Sequence, residues 1–221
     1  MGFVYDINTS KNDKRSRNCL LSCHTIAGII NLFISTFLVA YIYQFNSNIY
    51  SYIFKVAIFN VFSYALMTLV YFALSHLVDK TNRIWLYRIG LLIRVALVII
   101  VIFLGQDLAD YLILAGIVNG ISEGFYYSSY NVLRQEMVSR KDNSKYSTSI
   151  YSLLKIVDII CPIILGALIE VTTYSQVAII VLALCVVQIG LSFGVKAKRP
   201  QDSSFDLKGY FQKLKFHPEA K

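Results

Sequence analysis

The chain has 221 residues, 56% of them hydrophobic and 15% charged, with a mean hydropathy of +0.57 and a net charge of +8. A soluble domain carries about 25% charged residues and alternates polar with apolar positions, so apolar runs as long as these exclude an ordinary soluble domain. The basic charge would fit nucleic-acid binding, but its placement argues against that partner. Of the 21 lysines and arginines, all but Lys55, Arg94 and Lys155 fall in four segments. These are the N-terminal tail (Lys11, Lys14, Arg15, Arg17), the region of Lys80, Arg83 and Arg88, the region of Arg134, Arg140, Lys141 and Lys145, and everything after residue 195.

A membrane-spanning helix needs about 20 mostly apolar residues. Six such runs are legible, over 19–43, 51–77, 84–104, 109–132, 147–170 and 175–195. They lack the alternation of barrel strands, and helices satisfy their own backbone hydrogen bonds in lipid. The expected fold is an all-α membrane protein of six transmembrane helices. The connections at 44–50, 105–110 and 171–176 contain no lysine or arginine. Alternation of basic and uncharged flanks is the positive-inside pattern, so both termini are expected in the cytoplasm and the chain in the plasma membrane. The expected organisation is a basic tail over 1–18, a bundle over 19–195 and a basic amphipathic tail or linker over 196–221. The first run is too long, and lacks the small-residue cleavage site, for a cleaved signal peptide.

In the first run, Asn31 and Ser35 are four apart and share a helix face. They serve either interhelical hydrogen bonds or contact with a solute. Lys55 is one turn into the second run and can snorkel to the outer surface. Tyr41, Tyr43, Tyr50 and Tyr52 form an aromatic belt at that boundary. Between runs two and three stands SHLVDKTNRI, residues 75–84, a charged, turn-prone hairpin. The third run carries Arg94 near mid-bilayer, where an unpaired arginine costs about 2.5–3.5 kcal/mol and calls for a carboxylate. The fourth run has Gly116, Gly120 and Gly124, a smooth stripe that permits close helix contact, with Glu123 beside it as a second buried charge. The fifth holds Lys155 and Asp158, three apart and so on neighbouring surface, about half way across. Lys155 with Asp158, and Arg94 with Glu123, either neutralise each other or mark a substrate or proton path. Pro162 removes one backbone hydrogen bond from this helix and is expected to kink it. The tail segment FDLKGYFQKLKF, residues 205–216, is basic and amphipathic, as expected of a segment resting on anionic lipid.

Enzymatic readings fail on placement. GISEG at 120–124 matches G-x-S-x-G, but a nucleophile elbow needs a strand-to-helix turn and this is mid-helix. A six-helix serine protease of the rhomboid type needs a histidine in its sixth helix, whereas the histidines are His24, His76 and His217. Cys19, Cys23, Cys161 and Cys185 lack metal-ligand spacing and read as apolar packers. No nucleotide-binding motif is present, and no cofactor or metal is expected.

The hairpin resembles the loop between helices two and three of the major facilitator superfamily of transporters. Ser75 stands at its first glycine, Asp79 at the aspartate, Lys80 at the following basic position and Arg83 at the arginine. Asn82 replaces the second glycine, a mild change because asparagine tolerates positive φ, and Ile84 replaces the last basic residue. The segment 120–170 is also similar to helix four, its loop and helix five of bacterial members. Pro162 and Gly166 fit part of the antiporter motif of helix five. Gly120 stands where many proton-coupled members carry an arginine. The resemblance implies a half bundle of two inverted three-helix repeats, with Ser75, Asp79, Lys80 and Arg83 as a gating loop and Asn31, Ser35, Arg94, Glu123, Lys155 and Asp158 as candidate cavity or coupling residues. It implies a secondary transporter, or half of one, moving a small solute by alternating access. Because twelve helices are usual, a second six-helix chain or a homodimer is the expected protein partner. The alternative is a truncated or accessory membrane protein without transport of its own.

Overall fold

A computed structural model describes residues 7–38, 49–75, 82–138 and 142–196. They form six long helices: α1 (Ile7–Leu32), α2 (Ile49–Ser75), α3 (Arg83–Leu104), α4 (Leu112–Met137), α5 (Asn143–Val171) and α6 (Tyr174–Ser192). Among the described residues there is no strand. A π-helical turn, Phe33–Phe37, continues α1, and a short 3-10 turn, Gly105–Asp110, joins α3 to α4.

Five helical stretches are long and apolar enough to cross a membrane: Lys14–Thr36, Ile49–Leu74, Arg83–Leu104, Asn143–Leu168 and Tyr174–Ser192. The fold is thus an all-helical, multi-pass membrane arrangement. Helix α4 is 26 residues long but falls short on apolarity, and its surroundings explain why. It lies between α2 and α3, with Ser122, Glu123, Ser128 and Ser129 buried against protein. A helix enclosed by other helices can carry polar side chains that lipid would reject. The exposed apolar character sits elsewhere, in Phe54, Phe72 and Phe103.

The glycine stripe sets the α2–α4 distance. A Cβ on Gly116 would come within 2.8 Å of the Phe59 carbonyl oxygen, and one on Gly124 within 2.7 Å of Val70 Cβ. On the other side of α4, a Cβ on Gly90 of α3 would meet the Tyr126 nitrogen at 2.8 Å. The Ser122 hydroxyl donates to the Gly90 carbonyl there, at 3.0 Å. Such contacts replace the hydrophobic drive that lipid removes between helices.

Two large apolar clusters and a small one at Leu74 and Leu86 fill the bundle. One gathers Ile30, Phe33, Leu97, Val98, Leu112, Val177 and Cys185. The other gathers Leu20, Cys23, Tyr87, Tyr126, Tyr130, Leu133 and Ile150. The Gln188 amide of α6 donates to the Cys23 carbonyl at 2.9 Å, and the Cys23 thiol donates to the Gln188 carbonyl at 3.5 Å, tying α1 to α6.

Local sequence explains the helix ends. Thr173 and Gln176 form a capping box at the start of α6, satisfying backbone donors there. Gly105 ends α3 at φ 47°, a left-handed backbone that favours glycine. Helix α1 begins at Ile7, so residues 7–18 are helical, and no proline or glycine falls among them. One expectation is corrected. Asn82 does not use positive φ. It sits at φ −66° as the N-cap of α3, its side chain accepting from the Ile84 N–H at 3.3 Å. An Asn that caps the helix stabilises its entry with ordinary backbone geometry. Helix α5 runs through Pro162, where proline removes the hydrogen bond that the Asp158 carbonyl would accept.

Candidate functional site

A cleft of about 260 Å³ is lined by α1, α2 and α4, on a side of the bundle where Ser35 and Tyr64 are exposed. Its polar walls follow from helical spacing. Asn31 and the π-turn residue Ser35 come from α1, Asn60, Ser63, Tyr64 and Met67 from one face of α2, and Asn119, Glu123 and Tyr127 from every fourth position of α4. Ile34 and Phe59 complete the lining. A π turn shifts the residues that follow it around the helix axis, a device often found at functional sites.

Glu123 lies at the wall with Arg94 behind it. The Arg94 guanidinium is buried to 1% exposure and pairs directly with the Glu123 carboxylate. It also sits over the Tyr126 ring, 4.8 Å from the centroid, a favourable cation–π placement. Pairing answers the cost of an arginine at this depth. Its Nε and second terminal nitrogen have no hydrogen-bond partner in the protein.

Each of the three cleft amides uses one of its two N–H donors on the protein itself. Asn31 donates to the Tyr127 hydroxyl at 3.5 Å, Asn60 to the Val56 carbonyl at 3.0 Å and Asn119 to the Ser63 hydroxyl at 3.3 Å. The buried Asn31 carbonyl oxygen has no partner. Behind the cleft, His24 Nδ1 is 2.8 Å from the Tyr126 hydroxyl, and its ring stacks on Tyr130 at 4.2 Å.

The structure brings Asn31, Ser35, Arg94 and Glu123 to one place. It does not bring Lys155 and Asp158 there. They pair with each other at 3.0 Å on α5, with side chains 75% and 49% exposed, outside the cleft. The Asp79 and Lys80 positions, like the amphipathic stretch 205–216, lie outside the described residues. Ser75 ends α2. Arg83 forms an ion pair with Glu136 near the end of α4. Lys55 meets Asp110 at 3.5 Å. Among the described residues, no three His, Cys, Asp or Glu side chains come together to hold a metal.

Sequence reading passed over Asn60, Ser63, Tyr64, Asn119, Tyr127 and Glu136. The signal for the cleft residues was present: polar residues at three- and four-residue spacing inside apolar runs.

The sequence profile of the Major Facilitator Superfamily matches residues 20–212. A curated relative, the "Uncharacterized protein YqgE" of Bacillus subtilis (strain 168), is 26% identical over 186 residues, covering 81% of this chain and 42% of the relative. The chain thus spans less than half the length of that relative.

Proposed function

The chain belongs to the Major Facilitator Superfamily, a family of transporters, and from that premise we propose that it forms one six-helix half of a secondary transporter, moving a small solute through the cleft by alternating access. The observation that carries this reading is the polar cleft itself. Ionisable and amide side chains in the middle of a membrane bundle are costly, and they mark pathways by default. Here Asn31, Asn60, Asn119 and Glu123 converge on one space.

In this reading α4 is the sixth membrane crossing, its polar face turned inward. Helices α1–α3 and α4–α6 are the two inverted repeats, and both termini face the cytoplasm of the cell. Arg83 and Glu136 hold the cytoplasmic ends of α3 and α4 together, with Asp79 and Lys80 in the same gating loop. A charged pair exposed at mid-membrane depth is disfavoured against lipid. The α5 face with Lys155 and Asp158 therefore meets a second six-helix unit, either another copy of this chain or a different partner. The coverage of 42% of the relative supports a missing second half.

The same coverage favours a second reading, an accessory or truncated membrane protein without transport of its own. Solute uptake by liposomes containing the purified full chain, together with the size of its crosslinked oligomer, separates the two. Uptake above empty liposomes, abolished by Glu123→Gln, supports transport. A monomer that takes up no solute supports the second reading.

A further inference from the structure

The α5 face that carries Lys155 and Asp158 is complementary to a second copy of itself, an assignment that rests on the six-crossing reading of the bundle and deepens it by naming the partner. Helix α5 is held to the bundle along one side. Ile150, Val157 and Leu165 are buried there, and Leu154 reaches the place that a Cβ on Gly28 of α1 would take. The opposite side is open. Thr148, Ser152, Lys155 and Ile159 are exposed. Pro162 and Gly166 continue the line, and a Cβ on Gly166 would meet nothing within 4 Å. These positions alternate in steps of four and three residues, the seam spacing of helices that pack side by side.

Charge decides what covers this seam. Lys155 and Asp158 stand in the middle of the apolar stretch Asn143–Leu168 and pair with each other at 3.0 Å. Lipid solvates neither member of an exposed pair at that depth, so the cover brings charged or polar groups to the same level. Arg94 and Glu123, the other charged residues near mid-membrane, are buried against each other. Among the described residues, α5 alone therefore presents charge outward at this level. Two copies of the chain share one orientation in the membrane, so their α5 helices run parallel with the charged residues level. A two-fold axis along the membrane normal then sets Lys155 of each copy beside Asp158 of the other. One positive and one negative group per helix make the contact self-complementary, as an isologous interface requires.

We propose that two copies of this chain associate through α5, with Lys155 and Asp158 of each copy paired across the two-fold axis. Disulfide crosslinking of the full chain in membranes tests this, with Cys19 and Cys161 replaced by serine and the buried Cys23 and Cys185 retained. Ser152→Cys and Ile159→Cys, on the seam, are expected to give a crosslinked dimer. Leu69→Cys on α2 and Phe103→Cys on α3 stand at exposed positions off the seam and are expected to stay monomeric.

In the Ile159→Cys chain, Asp158→Lys alone or Lys155→Asp alone sets like charges together and lowers the dimer yield by about tenfold or more. Co-expressed under different tags, those two variants recover the dimer as a heterodimer, and the double exchange of Lys155→Asp with Asp158→Lys keeps the homodimer. This recovery separates lost pairing from lost folding. No dimer at either seam position, crosslinking at Leu69→Cys and Phe103→Cys instead, single variants that dimerise like their parent, or co-expressed variants that recover nothing each overturn the proposal. A chain that crosses the membrane six times and stays monomeric overturns this inference alone. Reporter fusions that place both ends of α4 on one side overturn the reading beneath it.

Discussion

Replacing Gly120 by alanine tests whether the α2–α4 contact sets the shape of the cleft. A Cβ at this position would press on the Ser63 carbonyl oxygen and lie 2.8 Å from Leu66 Cβ and 3.0 Å from the Met67 nitrogen. Two of these neighbours are backbone atoms, so no side-chain rotation relieves the clash. Overpacking of this kind costs about 1–3 kcal/mol, and the helix propensity of alanine over glycine offsets up to about 1 kcal/mol. With the full offset the net loss is up to about 2 kcal/mol. At roughly 2–4 °C per kcal/mol for a chain of this size, the unfolding temperature falls by up to about 8 °C. Gly190→Ala is the control, because a Cβ there meets nothing within 4 Å. It gains about 0.5–1 kcal/mol from reduced backbone entropy and unfolds slightly higher. The assay is thermal unfolding in detergent, read by a thiol-reactive dye on the buried Cys23 and Cys185, with Cys19 and Cys161 replaced by serine. The reasoning fails if Gly120→Ala unfolds at or above the temperature of Gly190→Ala.

Further outcomes follow from the ion pairs and caps. Glu123→Gln leaves the buried Arg94 uncompensated and costs about 3–5 kcal/mol, whereas the double variant Arg94→Met with Glu123→Gln unfolds closer to wild type in the same assay. Arg83→Glu opposes Glu136 and lowers stability, and adding Glu136→Arg restores at least half of the loss, as a double-mutant cycle measures. Thr173→Ala removes the side-chain half of the α6 capping box and costs about 1 kcal/mol, while Thr173→Ser leaves the unfolding temperature unchanged.

Six long helices and their approximate bounds were legible from apolar runs, because helices need a run long enough to cross lipid. The glycines of α4 were legible as a contact stripe because they fall every fourth residue. The start of α1 was not legible. Charge marked residues 7–18 as a tail, but charge says where a helix leaves the membrane, not where it unwinds. Arg94 with Glu123 and Lys155 with Asp158 were legible as pairs, and both form. Spacing along single helices could not show that packing of α3 on α4 sets the first pair at the cleft while the second lies outside it. Asn60 and Asn119 escaped notice because single polar residues in apolar runs also serve packing, and only the meeting of α2 and α4 gives them a common space. The π turn at Ser35 has no residue signature comparable to a proline or glycine.

The most direct measurement is reporter-fusion mapping of the loops on either side of α4, the helix whose polarity comes from burial. With fusions after residues 107 and 142, a membrane-crossing α4 places 107 outside the cell and 142 in the cytoplasm, with the C-terminus on the same side as 142. Finding 107 and 142 on one side of the membrane would contradict a bundle of six crossings with a polar cleft against α4.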